Sequence, residues 1–283
     1  MKPFVIGNKT DKNDARAILE ASFRKGVRFV PVKTLEQQDI QSLFRIRESQ
    51  VRMRTQTSNQ LRGLLSEYGV VLAKGRGALS QVPSLVDDLS NGLTLCAREF
   101  CTQLYEQVNW LTQQIEAQEQ KLQALLSSQS AYHRLLEVPG FGPIVTAMLL
   151  AAPDASRFKN GRQFAAWTGL TPKCFASGER SQMRGLSKRG NESLRRLLIH
   201  GARTVFTWCE KRDDPFRQWC QGLKKRLPAC KAIVAIANKL ARIAWALLAK
   251  KQPYQPVLAC RGEEGKINHS FGLSKKKKAL SFQ

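Results

Sequence analysis

Apolar positions along this chain recur mainly at helical spacing. The clearest run is Leu104, Val108, Leu111, Ile115, Leu122 and Leu125, stepping by four and three, with Gln118 breaking the register. Such spacing over more than three heptads, flanked by Glu, Gln and Lys, predicts a long coiled-coil helix. It suits one arm of an intramolecular hairpin or a seam between two copies. The second is preferred, so a homo-oligomer is expected. Upstream, Thr10 reads as the cap of a helix over 11–25 that presents Ala15, Ile18, Leu19 and Ser22 on one face and ends at Gly26. A short extended piece, 27–32, follows. Thr34 starts a second helix, with Glu36 and Asp39 in its early turns, where the helix dipole favours acids. It runs to about Tyr68 and carries Arg45, Arg47, Arg52, Arg54 and Arg62. Gly69 and the Lys74-Gly75-Arg76-Gly77 stretch break the pattern, and a short helix is predicted over 79–89. Beyond Leu135, Gly, Pro and Arg become dense, which predicts short helices alternating with loops. The last helix is 229–249, and a tail follows Pro253.

Composition changes this picture by adding a partner. Of 283 residues, 46 are Lys or Arg against 22 Asp or Glu, a net charge of +24. That exceeds what solubility needs and points to a polyanion. The excess is uneven: residues 173–231 hold fifteen basic and five acidic side chains, +10 of the total. The run Lys275, Lys276, Lys277 and Lys278 reads as a solvated basic tail. The 7 cysteines form no CxxC pair, and the 3 histidines have no metal-ligand spacing. Reduced thiols in the cytoplasm are therefore expected, without a disulfide framework or zinc site. The most apolar window, 232–249, contains Lys239 and Arg242 and reads as a core or amphipathic helix. No membrane span or signal peptide is expected.

Three places carry candidate chemistry. In Val138-Pro139-Gly140-Phe141-Gly142-Pro143, a helix is expected to end at Gly140, turn through Gly142, and restart with Pro143 at its first position. Backbone N–H groups at Gly140 and Gly142 then face a phosphate at the positive end of the second helix. This is the helix-hairpin-helix pattern, a sequence-independent grip on nucleic acid; the plain alternative is a helix corner. The second place is the basic stretch from Gly169 to Arg196, which supplies Arg180, Arg184, Lys188, Arg189, Arg195 and Arg196 as nucleic-acid contacts. Within it Ser177 precedes a glycine, close in sequence to Arg180 and Arg184, a setting that suits a serine attacking a phosphate. A loop serine is more often a turn former. Ser181 and Ser187 compete for the role, and Ser187 also suits a helix cap. The third is Asp11 and Asp14, one turn apart on a helix, able to share a divalent metal or simply to favour the helix N-terminus.

Taken in order, Thr10-Asp11-Lys12-Asn13-Asp14-Ala15, Phe29-Val30-Pro31-Val32, the stretch 45–54, the glycine turn, the stretch 164–172, Ser177-Gly178 and the stretch 187–198 resemble the DEDD transposases of bacterial insertion sequences, the "one-ten" family. The resemblance spans roughly 9–248. It implies a RuvC-like domain whose four acids bind divalent metal, Mg2+, with Asp11 and Asp14 matching the last two. It also implies a C-terminal transposase domain whose serine, best matched by Ser177, attacks DNA. Some members are guided by a structured noncoding bridge RNA.

The family's first Asp and its Glu lie upstream of the TDxxDA motif, and ten residues precede Asp11 here. The sequence therefore reads as N-terminally truncated and is expected to be defective alone. The expected fold is mainly α: 1–68 a remnant of the RuvC-like α/β domain with a linking helix, 69–134 helical coiled coil, 135–250 a transposase domain with a helix-hairpin-helix, and 251–283 a basic tail. The expected function is metal-assisted serine recombination of DNA by a cytoplasmic, nucleoid-associated protein. The alternative is a non-catalytic nucleic-acid-binding remnant. A ribosomal-type structural protein is disfavoured by the heptad seam and the ordered motifs.

Overall fold

The computed structural model describes residues 4, 6–8, 10–26, 29, 31–75, 77–177, 180–211 and 213–256. Much of the expected extended piece at 27–32 and all of the lysine run at 275–278 lie outside them. The chain divides into two units, Met1–Thr34 and Leu35–Gln283. In the first, helix α1 spans Asp11–Phe23, and the Thr10 hydroxyl accepts a hydrogen bond from the Asn13 backbone N–H. The Asn13 side chain in turn donates to the Asn8 carbonyl at 2.8 Å. The buried face of α1 is Ala17 and Ala21, while Ala15, Ile18, Leu19 and Ser22 are exposed, contrary to the expected face. Apolar periodicity ranks faces by hydrophobicity; small residues are buried by close approach, which it does not register.

The second unit is helical apart from a two-stranded hairpin. Helix α2 (Leu35–Glu67) and helix α4 (Leu95–Leu126) lie side by side and antiparallel. Ile40 near the start of α2 shares a core cluster with Leu122 and Leu126 at the end of α4. At the other end, Leu61 and Leu65 pack with Ala97, Cys101 and Val108. The heptad seam of α4 is thus filled by α2 of the same chain, and the hairpin arm is the correct use of the pattern. Its tracking also differs from the expectation. Gln118 is buried in the seam, and Leu126 closes it while Leu125 is 43% exposed. A straight helix drifts from a strict heptad by roughly 20° per repeat, which after several heptads carries the seam to the next residue. Between these helices, a 3-10 turn at Gly77–Gln81 and helix α3 (Val82–Asp87) cap the far end.

From there the chain builds the largest core. Helices α5 (Ser130–Leu136), α6 (Pro143–Leu150) and α7 (Gly161–Trp167) lead to strands β1 (Pro172–Ser177) and β2 (Arg180–Leu186). Helices α8 (Glu192–Trp208), α9 (Pro215–Arg226) and α10 (Ala229–Lys250) complete it. Among the described residues, α10 is the one helix long and apolar enough to cross a membrane, and it is the central core helix here. Ala232, Ile236, Leu240, Ala244 and Leu247 are buried at helical spacing against α7 and α8. Polar groups anchor it: the Trp245 indole donates to the carbonyls of Ala155 (3.0 Å) and Phe158 (3.1 Å), and the Asn238 amide donates to Leu170 (3.1 Å). Phe44 of α2 joins the same core, and Glu48 on α2 pairs with Arg196 on α8, so α2 belongs to this body.

The hairpin corrects the expectation of helices and loops over 172–186. Its strands are antiparallel, with Lys173 opposite Arg184, Cys174 opposite Met183, Phe175 opposite Gln182 and Ser177 opposite Arg180. The segment Lys173-Cys174-Phe175-Ala176 has no helical apolar stripe, and two strand-length runs flank the pair Gly178-Glu179.

Candidate nucleic-acid interface

The glycine turn packs on helix α8, and the hairpin leads into that helix along the chain. Helix α5 ends at Leu136, four residues earlier than expected, and the chain turns through hydrogen bonds from Val138 N–H to Leu135 and from Phe141 N–H to Val138. Gly140 has φ +89°, a conformation that L side chains avoid. It also packs against α8: a Cβ there would lie 2.8 Å from the Gly201 carbonyl oxygen. A Cβ on Gly201 would lie 2.1 Å from the Gly140 carbonyl oxygen, so both glycines allow the turn and α8 to touch backbone to backbone. Gly140 therefore has a packing role against α8 beside the backbone phosphate contact expected of it. Gly142 is different. It caps α6 without a side chain, Pro143 takes the first position as expected, and nothing lies within 4 Å of where its Cβ would stand.

The other end of α8 is held by a second glycine pair. Gly169 (φ +74°) and Gly190 (φ +100°) lie where the start of α8 crosses the end of α7. A Cβ on Gly190 would lie 1.8 Å from the Trp167 carbonyl oxygen, and one on Gly169 would lie 2.3 Å from that of Arg189. The Ser187 N–H donates to Thr171 at 2.8 Å, and Asn191 caps α8 by accepting from the Leu194 N–H at 3.0 Å. Asn191 thus holds the position offered to Ser187. This clamp leaves Lys188 and Arg189 exposed, with Lys188 itself left-handed at φ +53°.

The basic candidates separate by surroundings. Arg195 is buried, and its guanidinium donates to the Thr168 carbonyl at 3.3 Å; it ties α8 to α7 and does not face solvent. Arg196 is half exposed but is ion-paired with Glu48. Lys173, Lys188 and Arg189 are exposed. Arg180 and Arg184 both occupy β2, opposite Ser177 and Lys173 respectively. Ser177 is the last residue of β1, and residues 178 and 179 lie outside the described residues. Sequence reasoning missed the exposed Phe175 and Met183 on the strands. Two strand-length runs around the two-residue, glycine-containing pair Gly178-Glu179 were the signal.

In the N-terminal unit, Asp11 is exposed and Asp14 half-buried, one turn apart in the first turn of α1. Among the described residues no group of three or more His, Cys, Asp or Glu side chains stands together as a metal cage. Two carboxylates suit magnesium, which takes one or two from protein and completes its shell with water and substrate phosphate.

The same two regions are matched by family models. Residues 132–217 match a model described as the transposase IS116/IS110/IS902 family, and residues 2–70 match one described as transposase. The chain is 42% identical over 259 residues to a probable family 20 transposase of Pseudomonas aeruginosa, covering 90% of this chain and 77% of the relative. It is 38% identical over 257 residues to the transposase for insertion sequence element IS1111A of Coxiella burnetii, covering 90% and 71%. To the transposase for insertion sequence element IS1328 of Yersinia enterocolitica it is 36% identical over 247 residues, covering 87% and 73%. With that identity sustained along nearly its whole length, the chain belongs to the IS110/IS116/IS902 family of insertion-sequence transposases.

Proposed function

We propose that this chain binds DNA through the glycine turn at Gly140 and Gly142 and through the face that carries the hairpin and the 187–190 turn, and exchanges DNA strands by serine chemistry at Ser177. The observation that supports the reading is the register of the hairpin. It sets Ser177 opposite Arg180 at the end of a two-stranded ribbon on which Lys173 is exposed, followed in the chain by the exposed Lys188 and Arg189. A serine in such a place displaces one sugar oxygen from phosphorus and forms a Ser–O–P bond. A sugar hydroxyl of the incoming strand then displaces the serine, so one phosphodiester is exchanged for another. Neighbouring arginines stabilise charge on the attacked phosphate. Asp11 and Asp14 would hold Mg2+, which polarises phosphoryl oxygens when bound. A guide RNA and a homo-oligomer acting at the nucleoid belong to the same reading; with the α4 seam filled by α2, copies would meet through other surfaces.

The test is covalent capture. Wild-type protein, Mg2+ and a suicide DNA substrate, with and without cognate RNA, are run on a denaturing gel. A protein–DNA adduct is expected with wild type, Ser181→Ala and Ser187→Ala, and none with Ser177→Ala. An undiminished adduct with Ser177→Ala would overturn the assignment of the nucleophile. DNA binding without any adduct would instead mark a non-catalytic nucleic-acid-binding protein.

A further inference from the structure

Beside the glycine turn lies a concavity whose charge runs against that of the chain. It is open to solvent and has a volume of about 470 Å³. It is lined by residues 136–141, by Asp214 and Arg217 at the start of α9, and by Tyr254 and Pro256 beyond α10. The volume lies within the range of small-ligand pockets, roughly 300–1,000 Å³. The chain carries +24, yet the charged side chains lining this pocket are two acids and one arginine.

The two acids are not equivalent. Asp214 caps α9: one oxygen accepts from the Arg217 backbone N–H at 3.0 Å, and the other pairs with the Arg217 guanidinium. Glu137 is exposed at the end of α5, and its side chain makes no hydrogen bond or ion pair with a described residue. A carboxylate there stands at the negative pole of its helix. It also borders a turn at which phosphate is expected. Neither setting stabilises it in the free protein.

Those facts limit what enters. Glu137 repels a phosphate, and a carboxylate only accepts hydrogen bonds, so the occupant donates. In a strand gripped by its backbone, the remaining donors are on base edges. Among the standard bases, guanine sets two donors side by side, N1–H and the N2 amine, to match the two oxygens of one carboxylate. Its O6 and N7 accept from arginine. Arg217 carries further N–H donors beyond the one on Asp214. Pairing occupies the N1–N2 edge, so the base that offers it is unpaired.

We propose that this pocket receives one unpaired guanine from the strand held at the glycine turn, with Glu137 accepting from its Watson–Crick edge and Arg217 donating to O6 or N7. This rests on the nucleic-acid reading above and goes beyond it, because a backbone grip carries no sequence information and a base pocket does.

Full-length protein is titrated into fluorescein-labelled duplexes of one sequence that carry a single bulged G, A, C, T or inosine, or no bulge, read by anisotropy. Wild type is expected to bind the G bulge about tenfold more tightly than the A, C and T bulges. Inosine keeps N1–H and O6 but lacks the amine, and should fall between. Glu137→Gln keeps the size and loses the charge and one acceptor. It should bind the G bulge no better than the others, with affinity for the unbulged duplex within about twofold of wild type. Glu106→Gln, at an exposed acid on α4, should keep the wild-type preference. Wild type binding all bulges alike, inosine bound as tightly as guanine, or a preference retained by Glu137→Gln or lost equally by Glu106→Gln would each overturn the proposal. Wild type binding none of the duplexes would overturn the nucleic-acid reading itself and this one with it, a distinct outcome.

Discussion

At the scale of single residues, glycine and arginine identities matter for reasons that composition hides. Gly201 sits inside α8, where alanine is ordinarily about 1 kcal/mol better than glycine. The 2.1 Å approach to the Gly140 carbonyl reverses that sign. Gly201→Ala is expected to destabilise the protein by about 2 kcal/mol, the usual cost of overpacking, read as a lower urea midpoint with an unchanged slope. Arginines part in the same way. Arg195→Ala removes a buried bond to Thr168 and should cost stability, about 1–3 kcal/mol by chemical denaturation. Lys188→Ala with Arg189→Ala should leave stability within about 0.5 kcal/mol. That pair is expected instead to lower DNA affinity and make the salt slope shallower by about two phosphates in a salt-titrated binding assay. A slope unchanged in the double variant would remove both from the interface. Sequence alone ranks these three side chains together, because charge is written in the residue type while burial is a property of the fold.

At the scale of elements, helices were legible and the ribbon was not. Thr10 and the start near Thr34 mark α1 and α2, and Pro143 marks α6, because caps and ring-locked φ angles are local signals. The α4 seam was legible as a seam, but its partner was not, since a heptad reads the same whether a second copy or the same chain fills it. The register supplies a test. Leu111 is buried in the α2–α4 contact, so Leu111→Ala should cost about 2–5 kcal/mol of unfolding free energy. Leu125→Ala, on the exposed side, should cost much less. A seam between copies would instead make the Leu111→Ala loss depend on protein concentration. Hairpin 172–186 escaped notice because its strands are short and Cys174, Phe175 and Ala176 follow one another, so no apolar alternation announces them.

At the scale of the whole molecule, the +24 charge is carried by a chain whose largest core lies in its C-terminal half, assembled around α10. Binding to DNA should therefore be dominated by counterion release. The logarithm of affinity should fall linearly with the logarithm of salt concentration, with a steep slope of several phosphates. An affinity that changes little between low and physiological salt would mean that the charge serves another partner. The candidate carboxylates Asp11 and Asp14 lie in the unit Met1–Thr34, and Ser177 lies in the unit Leu35–Gln283.

The glycine contacts along α8 have a mechanical consequence. One end of that helix is clamped to α7 beside the hairpin, and Gly201, about ten residues and ~15 Å further along, bears against the turn before α6. The helix is a beam with a fixture at each station, and beams of packed backbone do not stretch. Under the reading proposed above, the ribbon and the glycine turn act as the jaws of a caliper set to one gauge. The bend or local opening needed to seat both jaws at once must then come from the nucleic acid.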